Sequence, residues 1–185
     1  WDTRLANHAR QPAAPPSAEA LALWRKLCGQ LLAEPSSFAN AMHLSTCARE
    51  ALLACGMQRL MLLKADKTAT TLQVCEVSGL PAAAFDMSFT ISESTALQRL
   101  MMQPAQVRLT PGNNTTISSV LPANLRHLFP GEHLLLRSLS SNGRVVMLLV
   151  ADQGGGMFCE TSVQAFGKTA QCIEKALNSF SSRGR

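Results

Sequence analysis

Val145-Val146-Met147-Leu148-Leu149-Val150-Ala151 is the longest unbroken apolar run in the chain. A bilayer span needs roughly 18 consecutive apolar residues, so this run is far too short to be one. Apolar at every position and bounded by turn formers, it predicts a strand at the centre of a sheet. The turn before it is Ser140-Ser141-Asn142-Gly143, and Asn-Gly between two apolar runs is the strongest short-range hairpin signal. His133 to Leu139 is then the partner strand, and the fold has to be built around this pair.

Apolar period and turn chemistry divide the rest of the chain. Residues 1–16 carry Pro12, Pro15 and Pro16 among alanines and polar residues, which predicts an extended interdomain linker. In residues 17–34, Leu21, Trp24, Leu27, Cys28, Leu31 and Leu32 recur at three and four residues after a Ser17 cap, the pattern of a connecting helix that stops before Pro35. Residues 35–185 make the remaining domain. It opens with a helix capped by Ser36 or Ser37, with Phe38, Met42, Leu44, Cys47, Leu52 and Cys55 on one stripe and Gly56 as its stop.

The period then shifts to two. Arg59 to Lys64 and Thr71 to Ser78 predict an antiparallel hairpin, and Phe85, Met87, Phe89 and Ile91 a third strand with one wet face. Thr95 to Met102 reads as a short helix capped by Ser92 or Ser94, and Val107 with Leu109 as a brief strand. Thr110 to Glu132 holds Pro111, Pro122, Pro130, Gly112 and Gly131 and is expected to be a long loop, a feature that is usually functional. A last helix starts at Thr161 or Ser162 and carries Val163, Phe166, Ala170, Ile173, Ala176, Leu177 and Phe180 on one face.

Composition narrows the function classes. A length of 185 residues is expected to form about one domain. The 17 Lys and Arg against 12 Asp and Glu give a net charge of +5, but Arg25-Lys26 is the only adjacent basic pair and there is no Tyr. Nucleic-acid binding asks for a basic stripe with aromatic platforms, so it is not expected, and neither is membrane association. Six cysteines without a Cys-x-x-Cys pair suggest neither a zinc site nor a disulfide ladder, and read as reduced, buried and cytosolic. The chain opens Trp1-Asp2-Thr3 and reads as a segment of a longer protein.

The run Cys55-Gly56-Met57-Gln58-Arg59-Leu60-Met61-Leu62-Leu63, the exit Val77-Ser78-Gly79-Leu80-Pro81, the stretch from Gly143-Arg144-Val145-Val146 to Val150-Ala151-Asp152, and the Phe158 to Phe180 helix resemble a GAF domain in order and spacing. Leu32-Ala33-Glu34-Pro35-Ser36-Ser37-Phe38-Ala39-Asn40 further resembles the GAF-like region that follows an HDOD domain in proteobacterial regulators. The resemblance implies an α+β fold with a GAF/PAS-like central antiparallel sheet of five to six strands. Its N- and C-terminal helices would lie on one face, with a lid of residues 94–103 and 110–132 on the other. It also implies a noncatalytic sensory or regulatory domain of a bacterial signalling protein, coupled to an N-terminal output domain and dimerising through its terminal helices. A ligand-free dimerisation scaffold and a cysteine-dependent free methionine sulfoxide reductase are the alternatives.

The residues test the better-known chemistries of this family. Cyclic-nucleotide binders resemble one another in a signature that includes a lysine, and there is none here between Lys67 and Lys168. Bilin attachment and sulfoxide reduction use cysteines in or near the lid, and residues 76–158 contain none. Cys159 precedes the last helix, whose N-terminus lowers a thiol pKa, but no His, Lys or Arg adjoins it in sequence. His127 and His133 flank a turn with Glu132 between them, which is weak as a metal site. No cofactor or metal is expected. Met101 in the lid helix, Arg108 and Arg137 in strands between apolar neighbours, and His127 in the long loop are the ligand-binding candidates, the arginines for bidentate contact with a carboxylate or phosphate.

Overall fold

The computed structural model describes residues 11–33 and 41–183. In chain order the elements are α1 (Ala18–Ala33), α2 (Ala41–Ala54), β1 (Arg59–Ala65), β2 (Thr71–Ser78), β3 (Ser88–Thr90), α3 (Thr95–Met102), β4 (Gln106–Leu109), α4 (Asn114–Ser118), α5 (Ala123–Leu128), β5 (Leu134–Ser141), β6 (Arg144–Asp152) and α6 (Glu160–Arg183). Short 3-10 turns cover Ala82–Asp86 and Ile91–Glu93. Six strands form one antiparallel sheet in the order β3-β2-β1-β6-β5-β4.

The apolar run lies where its composition requires. β6 sits between β1 and β5, with Val150 opposite Met61 on one side and Leu136 on the other. The hairpin closes through Asn142 and Gly143, whose φ angles of 54° and 79° are the left-handed pair of a two-residue primed turn. Because strand residues alternate, each apolar strand feeds two cores. Met61, Leu63, Leu134, Leu136, Leu148 and Val150 face the lid, while Leu60, Leu62, Leu135, Leu139, Met147 and Leu149 face a layer of α1, α2 and α6.

α1 is held inside that helical layer. Ser17 Oγ accepts the Ala20 amide at 3.1 Å and starts the helix, Leu27 and Leu31 are buried, and Trp24 Nε1 donates to Thr169 Oγ1 of α6 at 2.8 Å. Trp24, Leu27 and Leu31 are thus engaged within one chain, while Leu32 of the same stripe is 46% exposed. Of the proline-rich stretch, residues 11–16 have no regular structure, and the Ala13 amide donates to the Met157 carbonyl. Residues 1–10 of that stretch, and Ser36, Ser37 and Phe38, lie outside the described residues.

Two expectations of local structure change. The third strand shrinks to three residues, because Pro81 opens a 3-10 turn whose Ala84 amide bonds back to its carbonyl, leaving Phe85 50% exposed instead of on a strand face. The Thr110–Glu132 segment is not irregular throughout but contains α4 and α5. Pro122 stands at the start of α5, and Leu125 and Phe129 drop into the lid-side core, so burial stabilises a helix too short to persist alone. α6 begins at Glu160, one residue before the expected start. No helix of the described residues is long and apolar enough to cross a membrane.

A candidate ligand cavity beneath α3

Over the central strands the lid side is solid: Met61, Leu63, Leu97, Phe129, Leu148 and Val150 are each at most 1% exposed. Open space appears nearer the β4 edge, where a cavity of about 410 Å³ lies between α3, β4 and α4. Leu136 of β5, Leu100 of α3, Val107 of β4 and Ile117 of α4 contribute its apolar lining, and Thr95, Arg99, Gln103 and Thr116 supply its polar groups. No aspartate or glutamate lines it.

The walls are fixed by short local bonds. Ser94 caps α3, its Oγ accepting the Leu97 amide at 3.2 Å and donating to the Val120 carbonyl at 2.7 Å. The Ala96 amide donates to the same carbonyl, so the start of α3 and the α4–α5 connection hold one another. At the other end Ser138, buried in β5, accepts the Ala105 amide at 2.7 Å, and the Ser138 amide donates to the Ala105 carbonyl at 3.0 Å. Asn113 turns the chain from β4 into α4, its Oδ1 accepting from the Thr110 amide and its Nδ2 donating to the Arg108 carbonyl. α3 itself is amphipathic: Leu97 and Leu100 anchor it on the sheet, and Arg99 is exposed.

The four candidates from the sequence are not brought together. Arg108 and Arg137 both point to the helical layer: Arg108 Nη2 pairs with Glu160 at 2.8 Å and its guanidinium lies 5.5 Å from the Phe158 ring centroid, while Arg137 Nη2 faces Glu174 at 3.6 Å and its Nη1 donates to Gln106. Met101 is half-buried against the lid-side core. His127 borders a separate, more open cleft with Arg126 and Asn114. Arg99 and Gln103, which do line the cavity, escaped the sequence reading because a polar residue on a short amphipathic helix looks like its solvated face.

Several other ionisable groups have structural partners. Asp152, wholly buried at the end of β6, takes a 2.6 Å ion pair from Arg59 and the Gly154 amide at 3.1 Å. Arg126 of α5 donates to the carbonyls of Phe129 and Gly131 and so closes the lid turn. Burial pushes the Cys28 and Cys55 thiols up to about 12. Burial raises Cys159 too, but the amides and hydroxyls of Ser162 and Thr161 outweigh it and leave that thiol lowered. Cys159 is nonetheless only 8% exposed. All six cysteines are free thiols.

No protein-family description matches the sequence, and no curated protein matches it. Solved structures match the fold. A free methionine-R-sulfoxide reductase from Neisseria meningitidis, in complex with its substrate, has a TM-score of 0.63 and 19% identity, covering 96% of this chain and 99% of that one. The phycoerythrobilin-bound GAF domain from a cyanobacterial phytochrome has a TM-score of 0.64 and 12% identity over 91% of this chain and 100% of the other. A GAF domain/HD domain protein from Geobacter sulfurreducens gives 0.59 and 13% over 81% and 99%. The chain has a GAF-like α+β fold, and at these identities the likeness is one of fold.

Proposed function

We propose that this is a noncatalytic sensory domain that takes a small molecule into the cavity between α3, β4 and α4 and passes the binding energy to its helical layer. The cavity carries the reading: its volume falls within the ~300–1,000 Å³ of small-molecule sites, and it combines an apolar lining with a few polar groups. A physical route to the helices exists. Leu136 in the lining is followed in β5 by Arg137, which faces Glu174 of α6, and that same glutamate accepts the Ser140 amide at 3.0 Å. A ligand that prefers one position of α3 over another shifts this arrangement by its differential affinity, typically ~1–3 kcal/mol.

The receiver of that signal is an output domain N-terminal to α1, of the HDOD type that the Leu32 to Asn40 resemblance implies, with α1 as the connector. The reductase alternative is the weaker one. Residues 76–158 hold no cysteine, and no His, Lys or Arg is paired with the buried Cys159 thiol among the described residues. The test is native mass spectrometry of the chain purified from a bacterial cytosol, run beside Ala105→Trp, which fills the cavity from β4's approach. A small mass retained by the first and absent from the second supports sensing. Turnover of free methionine sulfoxide that vanishes in Cys159→Ser would replace it with the enzymatic reading.

A further inference from the structure

We propose, on the basis of that sensory reading, that the ligand is a small amphipathic monocarboxylate without an ammonium group, its apolar body lying against Leu100, Ile117 and Leu136 and its head on Arg99. The first observation is the state of the arginines. Arg49, Arg59, Arg108 and Arg137 each hold a carboxylate, and Arg126 and Arg144 hold backbone carbonyls. Arg99 has no ion pair or hydrogen bond among the described residues; Arg25 of α1 is likewise unpaired, but Arg99 stands in the cavity lining and Arg25 does not. A guanidinium matches a carboxylate through two parallel N–H···O bonds.

The second observation sets the charge. One guanidinium balances one negative charge, whereas a phosphate monoester carries about −1.5 to −2 and would leave the excess against an apolar lining. The third disfavours the zwitterion. An α-amino acid brings an ammonium that is best balanced by a carboxylate, and no Asp or Glu lines the cavity. Gln103, Thr95 and Thr116 are neutral and can serve the carboxylate's remaining lone pairs. The volume of about 410 Å³ lies near the lower end of small-molecule sites, which fits a branched aliphatic chain or a single ring.

The probes are 4-methylpentanoate, its neutral amide 4-methylpentanamide, and leucine, titrated into the full chain while backbone amide resonances are followed. Saturable shifts at Leu100, Ile117 and Leu136 are expected with the acid, and the amide and leucine should each bind at least about tenfold more weakly, the loss of one charge-assisted contact. Arg99→Gln, on the exposed side of α3 and expected to melt as the wild type does, should weaken the acid by about tenfold and leave the amide unchanged. Equal affinity of acid and amide overturns the carboxylate class while leaving a neutral-ligand sensor standing. Silence from all three probes also overturns it, and the sensory reading is then decided by exposure to host small molecules, a separate measurement.

Discussion

Gly131 and Gly155 lie backbone against backbone: a Cβ on Gly155 would stand 2.9 Å from the Gly131 Cα, and one on Gly131 would overlap the Gly155 backbone outright. This contact seats the end of the lid on the turn between β6 and α6, and the His133 amide donates to the Gly155 carbonyl beside it. Neither neighbour is a flexible side chain that could move aside. Gly131→Ala should therefore cost at least about 2 kcal/mol in urea denaturation, whereas Gly143→Ala, facing open space, should cost only its left-handed backbone strain of about 1 kcal/mol. Equal costs would mean that the lid does not rest on this contact.

The helical layer makes a second test. Leu31 is 0% exposed between α1 and its neighbours, so Leu31→Ala should destabilise by about 2 to 5 kcal/mol. Trp24→Phe removes the indole donor to Thr169 and should cost about 1 kcal/mol. Sedimentation equilibrium on the wild type and Trp24→Ala reads association separately. A wild-type dimer weakened by Trp24→Ala would show that α1 also serves a second copy, and a monomer throughout would confine its role to the chain.

Arg59 and Asp152 give a third. Arg59→Met leaves a wholly buried carboxylate with only the Gly154 amide, at a cost of about 3 kcal/mol, the low end for a broken buried pair because Arg59 is partly exposed. Asp152→Asn in the same background should recover part of that loss. If the double variant is no better than Arg59→Met, charge burial is not the source.

The fourth concerns pH. His133 is buried with Nδ1 unpartnered, and its pKa is lowered from 6.5 by burial first and by Arg108 second, against the opposite pull of Glu132. The folded chain thus prefers the neutral ring. Stability is full above the unfolded value of 6.5, and as pH falls through it the unfolded chain takes up a proton the folded one resists, so stability drops until the lower folded pKa is passed. Denaturation at about pH 7.5 and about pH 5.5 should show this loss in the wild type and a smaller one in His133→Phe. An unchanged loss in the variant would assign it to other groups.

The order of the strands and of α1, α2, α3 and α6 was legible because the apolar period changes to two after Gly56 and returns to a helical one at α3 and α6. Asn142-Gly143 marked the hairpin between β5 and β6. The direction of Arg108 and Arg137 was not legible, for a physical reason. In a sheet covered on both sides, apolar neighbours flank a polar residue whichever face it takes, so alternation does not say whether it meets the lid or α6. α4 and α5 were hidden in a run of prolines and glycines, since short helices there depend on Leu125 and Phe129 reaching a core that local sequence does not reveal. The cavity depends on what three separate segments leave unfilled, which no single stretch encodes.

The most direct test of sensing beneath α3 is amide hydrogen exchange on the full chain, with and without a dialysable small-molecule extract of a bacterial cytosol. In the free protein α5, anchored by Leu125, should exchange more slowly than α4, which buries no comparable side chain. With extract, exchange should slow across residues 95–121 and, through Arg137 and Glu174, near Ser140 in β5, and Ala105→Trp should abolish both effects. Exchange unchanged by the extract at every position, in a wild-type chain that shows the expected α4–α5 contrast, would contradict the account.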